Sequence, residues 1–257
     1  MTLHTILLLF ASGIVGGVMA SLVGGASVIT FPALLATGLP PVIATASNLV
    51  AVSPGNFLAA LTERSQLPPL DRAFLGLVGA SVLGALAGAT LLMITPFRLF
   101  EVLIPLLLGF ATVLFAFAPR VTQWLRARAL ARSGSEPRMS VTSIPMLLPV
   151  SVYGGYFGAG VGVLLLGVLS VATAGDYRSA NVVKNLVTSL NTLVASICFI
   201  ANGAVAWPPT LAMMAGCAIG GFCGAHIARV VPQKLMRVVV VAVGAALTVA
   251  FVWRYWL

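Results

Sequence analysis

The chain has 257 residues, 60% of them apolar and 7% charged, with a mean hydropathy of +1.10. That composition excludes a soluble domain. The net charge of +9 does not point to nucleic acid, because the arginines sit in short connectors between long hydrophobic runs.

In chain order, apolar segments are expected at about 4–38, 41–62, 72–95, 98–118, 143–174, 178–203, 208–231 and 234–256. Several reach the length of a membrane-spanning helix, roughly 18 residues or more. Met1 to Phe10 lacks the positive stretch of a secretory signal, so the first helix is expected to be retained. Turns rich in Pro or Gly separate most segments, as at Gly38-Leu39-Pro40-Pro41. The only long polar stretch, Pro119 to Thr142, carries Arg120, Arg126, Arg128, Arg132 and Arg138.

The segments repeat. Asn48-Leu49-Val50 recurs as Asn185-Leu186-Val187, 137 residues later, and Gly79 and Gly84 match Gly216 and Gly221 at the same offset. Pro96-Phe97-Arg98-Leu99 answers Pro232-Gln233-Lys234-Leu235, and Pro68-Pro69 answers Pro208-Pro209. Duplicated, strongly apolar chains are common among secondary transporters, with the site where the copies meet.

The first and fifth segments are too long for one simple span, and each has glycines near its middle: Gly24-Gly25, and Gly158, Gly160 and Gly162. Glycine permits tight backbone turns, so each segment can be a hairpin that leaves on the side it entered. Loop charge separates this from eight single crossings, which divide Lys and Arg eight inside to five outside. With two hairpins and the N-terminus outside, Arg64, Arg72, the five linker arginines, Arg178, Arg229, Lys234 and Arg237 fall inside. Only Arg98 and Arg254 remain outside, a strong positive-inside pattern. The expected fold class is an all-α polytopic membrane protein of two inverted repeats of four hydrophobic segments each, with the first and fifth segments broken or re-entrant at glycines. Residues 1–118 form the N-terminal transmembrane repeat, 119–142 the Arg-rich cytoplasmic linker, and 143–257 the C-terminal repeat.

The clearest polar signal is on the sixth segment. At 100° per residue, Asn181, Lys184, Asn185, Thr188, Asn191 and Thr192 fall in a stripe about 120° wide. The second segment has a thinner stripe of Thr45, Asn48 and Asn56, within about 80°. Such stripes face the protein interior or a water-filled cavity; they either line a substrate path or glue helices together through hydrogen bonds. Lys184 is the only charged residue well inside an apolar segment, since Glu63, Asp71, Glu101, Glu136 and Asp176 all lie at segment ends or in the linker. An intramembrane cation suggests attraction of an anion; the bland reading is snorkelling to the inner surface. Its counterpart in the first copy is Ser47.

The glycine tips carry a second signal. After Gly24-Gly25, the run from Ser27 toward Ala36 begins a short helix within the membrane. Its free N–H groups and positive dipole end favour an anion, with Ser27 as cap or ligand. The tip at Gly158–Gly162 repeats this from the other side. Glycine also serves simple tight packing of membrane helices. Broken helices paired in both copies are a pointer to a transport site.

Other features weigh less. His226 reads as a helix-end histidine or a proton relay, and His4 as solvated. Cys198, Cys217 and Cys223 lack CxxC spacing and read as small apolar fillers. Trp124, Trp207, Trp253 and Trp256 read as interfacial anchors. The sequence has no HExxH, no GxSxG, no DxxD pair and no phosphate-cradling P-loop, so no enzyme is expected and no cofactor or metal.

At Gly24-Gly25-Ala26-Ser27-Val28-Ile29-Thr30-Phe31-Pro32-Ala33-Leu34-Leu35, then Gly38-Leu39-Pro40-Pro41, the chain resembles the TauE/SafE sulfite exporter family. The second copy agrees through Tyr153-Gly154-Gly155-Tyr156-Phe157-Gly158-Ala159-Gly160 and Asn181-Val182-Val183-Lys184-Asn185-Leu186. Relatives often carry three glycines where this chain has Val23-Gly24-Gly25. The resemblance implies an inner-membrane carrier of small sulfur-containing anions such as sulfite or sulfoacetate.

The residues expected to bind substrate are Gly24, Gly25, Ser27, Asn48, Gly160, Gly162, Lys184, Asn185 and Thr188. The expected partners are a small anionic substrate and the lipid bilayer, with a second copy as a candidate homodimer and no nucleic acid. The expected function is secondary transport by alternating access in the inner membrane, with the two copies moving against each other around a central anion site. An anion channel and a scaffold subunit without transport are the alternatives.

Overall fold

A computed structural model describes residues 1–62, 67, 71–132, 144–172, 177–227 and 233–256. These residues form α-helices and no strand. The first copy contains α1 (Leu3–Val23), α2 (Ser27–Leu35), α3 (Pro41–Thr62), α4 (Arg72–Ile94) and α5 (Phe97–Arg132). The second contains α6 (Ile144–Tyr156), α7 (Val161–Ala172), α8 (Tyr177–Ala201), α9 (Trp207–Ile227) and α10 (Gln233–Trp256). The first and fifth apolar segments are thus each split into two helices. Helix α5 runs on through Pro119 to Arg132, into the stretch read from sequence as linker.

Among the described residues, α1, α3, α4, α5, α8 and α10 are long and apolar enough to cross a bilayer. The exterior is apolar too: Leu83, Leu86, Phe110, Val113, Val238 and Val249 are all exposed. Several hydroxyls in the helices are satisfied internally, as lipid demands. Thr45, Ser81, Thr112, Thr210 and Thr248 each donate to the carbonyl four residues back, at 2.6–2.9 Å.

Each broken segment folds back on itself. Met1 and Thr5 at the start of α1 line one depression together with Ala36 and Thr37 just past α2. In the second copy, Leu147 of α6 shares an apolar cluster with Leu165 and Leu169 of α7, Ala180 of α8 and Leu77 of α4.

The copies are not packed side by side as separate units. Helix α1 docks on α9 and α6 docks on α4, so each hairpin leans on a helix of the other copy. Glycines make both seams close. A methyl group at Gly13 would lie 2.3 Å from Met213 O, and one at Gly220 would lie 2.1 Å from Ile14 O. In the second seam, a methyl at Gly88 would lie 2.0 Å from Val152 O and one at Gly155 2.2 Å from Ala85 O. Backbone meets backbone there, the contact that small residues allow between membrane helices. Helices α3 and α8 pack on each other between the two seams.

Candidate functional site

Two glycine-capped breaks build the centre of the molecule. Helix α1 ends where Gly24 enters the left-handed region, φ 78°, and its N–H donates back to Ala20 O and Met19 O. Helix α6 ends the same way: Gly158 has φ 77°, and its N–H donates to Tyr153 O at 3.2 Å. A side chain is disfavoured at such angles, so glycine ends both helices cheaply. Gly160, also left-handed at φ 78°, turns the chain into α7. The two tips touch, since a Cβ on Gly24 would lie 3.0 Å from the Gly162 Cα. Phe115 of α5 supports both: its ring fills the space over Gly25 and lies beside Gly160. Phe157, just past α6, packs edge-on against Phe31 of α2, with ring centroids 5.3 Å apart.

Where the tips meet α3 and α8 there is a cavity of about 30 Å³. A single water needs roughly 10–15 Å³ on this measure, so the space suits a solute of few atoms. Both half-helix N-termini face it, through Ala26 and Ser27 of α2 and Val161 of α7. From α8 come Lys184, Asn185, Thr188 and Thr192, and from α3 come Leu49, Val52 and Asn56. Lys184 is 4% exposed, so its ammonium is held inside the protein and does not snorkel to the surface. The half-helix dipoles place partial positive charge on the same space.

Of the nine residues expected to bind substrate, Gly24, Ser27, Lys184, Asn185 and Thr188 line this cavity. The other four sit beside it without lining it. Gly25 and Gly160 rest on Phe115, and Gly162 rests on Gly24. Asn48 is fully buried between α3 and α2, where Thr30 Oγ1 donates to its Oδ1 at 2.5 Å. Ser27 is not the helix cap. Ala26 holds that position with helical angles (φ −48°, ψ −50°) and no side-chain cap bond. A side-chain cap needs an extended backbone at that residue, and the helical turn has already begun there. Ser47, the counterpart of Lys184, accepts a 3.0 Å hydrogen bond from Ala206 N at the start of α9.

Sequence reasoning passed over Thr30, which looks like any hydroxyl in an apolar run until its partner Asn48 is seen. It also left Thr192, Asn56 and Gly158 outside the expected site, although the first two lay on the polar stripes and the third at the tip. Cys198, Cys217 and Cys223 are free thiols and buried or half-buried, and His4 is exposed. The side chain of His226 lies outside the described residues. No group of three His, Cys, Asp or Glu side chains comes together among the described residues. Larger open depressions, of about 610 and 400 Å³, lie beside His4 and Thr37 and beside Glu101 and Arg254.

The sulfite exporter TauE/SafE family matches residues 9–251, nearly the whole chain. The chain belongs to that family. It is 27% identical over 252 residues to the probable membrane transporter protein ORF9 of Sinorhizobium sp, covering 96% of this chain and 92% of that one. It is also 27% identical over 256 residues to a probable membrane transporter protein of Haemophilus influenzae, covering 96% and 94%. The probable membrane transporter protein YfcA of Escherichia coli K12 is 23% identical over 245 residues, covering 93% and 87%. No solved structure matches the chain. As a TauE/SafE protein with this helical architecture, the chain is a multi-pass membrane transporter.

Proposed function

We propose that this TauE/SafE protein is an inner-membrane carrier of a small sulfur-containing anion, such as sulfite or a two-carbon sulfonate. The observation that carries the reading is the convergence of a buried lysine and two half-helix N-termini on one small cavity. Lys184 neutralises the solute's charge, and the N–H groups at the starts of α2 and α7 donate to its oxygens. Asn185, Thr188 and Ser27 complete a polar lining that discriminates by hydrogen-bond geometry. The cavity's size argues for few heavy atoms.

The hairpins support an inverted repeat, with the first opening toward the end that holds Thr37 and Ala206, and the second toward the end that holds Leu77 and Ala180. Alternating access then exposes the same site to each side in turn. We take the moving bodies to be other than the two copies. Whole copies sliding past each other would open the α1–α9 and α6–α4 seams, where backbones are in contact. We assign the bodies as α1–α2 with α3 and α9 against α6–α7 with α4 and α8, which meet at the α3–α8 contact, while α5 and α10, packed on each other, frame them.

The test uses purified protein and proteoliposomes. Sulfite, thiosulfate, sulfoacetate and sulfate are screened for thermal stabilisation, and the solute that stabilises is then followed as flux. A Lys184→Ala variant is expected to lose most of both responses. Unchanged flux in that variant at every solute concentration refutes the role of Lys184. Flux that neither saturates nor shows counterflow makes the protein a channel.

A further inference from the structure

One buried side chain has no place in the anion site. Asn191 lies on α8 two turns beyond Lys184, roughly 10 Å along the axis. It is 0% exposed, and neither its Oδ1 nor its Nδ2 has a hydrogen-bond partner. A buried amide left so costs stability of about 1–3 kcal/mol, so the group calls for an occupant. Its neighbour is Gly154 of α6; a Cβ there would lie 2.9 Å from Asn191 Nδ2. Gly154 is in the last turn of α6. The N–H groups of Phe157 and Gly158 both donate to Tyr153 O, so the carbonyls of Gly154, Gly155 and Tyr156 lie past the last backbone bond of the helix. They form the negative end of its dipole.

A further oxygen in this region is buried without a partner: Thr188 Oγ1 lies one turn before Asn191 on the same face of α8. Neutral oxygens gathered at a helix C-terminus are what a dehydrated alkali cation needs. None of these groups titrates, so a proton has nothing to bind. The absence of a carboxylate among them makes a divalent ion too costly to desolvate.

We propose that Asn191, Thr188 and the last-turn carbonyls of α6 bind a monovalent cation, sodium in the first instance. Thr188 also lines the anion cavity, so the two sites share a wall. A sodium ion and the Lys184 ammonium repel each other across about 10 Å, and an anion beside Lys184 relieves that repulsion. Each solute should therefore tighten the other's binding by on the order of tenfold. The cation site itself does not rest on the anion reading; this coupling does.

The test is thermal unfolding of the purified full chain in NaCl, KCl or choline chloride at equal ionic strength, with no anionic solute added. In wild type, the unfolding temperature should rise with the logarithm of sodium concentration, and not with choline. Asn191→Leu should flatten that slope. Asn191→Asp, nearly the same shape with an added charge, should keep it and shift the midpoint to lower sodium. A wild-type unfolding temperature equal in all three salts overturns the cation site, as does an Asn191→Asp midpoint that stays in place. Adding sulfite tests the coupling separately. If the sodium response persists but sulfite does not shift its midpoint, the anion reading at Lys184 is wrong and the cation site stands.

Discussion

Lys184 and Ser47 occupy equivalent places in the two copies and do different work. The lysine lines the cavity, whereas the serine holds the start of α9 through Ala206 N. The charge was legible because a lone cation in an apolar run has few explanations. What Ser47 does was not legible, since its partner lies 159 residues away. The same holds for Thr30 and Asn48. Their bond joins α2 to α3, and interhelical bonds of this kind contribute about 0.6 kcal/mol on average in membrane proteins. A double-mutant cycle with Thr30→Val and Asn48→Leu, read by thermal unfolding, should give a coupling of that order. Fully additive effects would mean that the bond contributes nothing. Ser27 shows the opposite failure, where local chemistry suggested a cap and the helix began one residue earlier.

At the scale of elements, glycines decide which helices meet. The repeat match flagged Gly79 and Gly84 alongside Gly216 and Gly221, yet these positions differ in use. A methyl at Gly79 meets nothing within 4 Å, whereas one at Gly84 would press on Ser151 and one at Gly88 on the Val152 carbonyl. Sequence periodicity cannot separate a glycine that faces lipid from one that faces a backbone. Gly79→Ala should stabilise α4, by up to about 1 kcal/mol, through helix propensity. Gly88→Ala should destabilise the protein by about 1–3 kcal/mol, because a carbonyl cannot move aside as a side chain can. Denaturation of the two variants in detergent checks both signs, and matching shifts would contradict the seam. Other element-scale features were readable directly. The breaks at Gly24 and Gly158 followed from segment length and glycine placement. The extension of α5 to Arg132 did not, because polarity marks the end of a membrane span but not the end of a helix.

At the scale of the molecule, the sequence announced two copies but not that they are interlocked. Segment order and charge say which ends lie together; which helices share a seam depends on three-dimensional packing that a repeat pattern does not encode. The exchanged bodies proposed above make a direct prediction. Cysteine cross-links along the α1–α9 seam should leave solute flux largely intact, because those helices move as one. Cross-links joining α3 to α8 should stop it. The reverse outcome in proteoliposomes would restore the two copies as the moving units.

The α1–α9 seam also bears on how the chain is made. Helix α1 leaves the ribosome well before its mate, because the surface it fits is synthesised roughly 200 residues later, about 10–40 s at ordinary rates of translation. Until then its glycine-lined face has no mate, and neither does the Gly88 face of α4, which waits for α6. The N-terminal copy is therefore half-built until the C-terminal copy follows it. Its seams close in turn, first as α6 reaches the Gly88 face of α4 and later as α9 reaches α1, so the seam begun first is the one completed later.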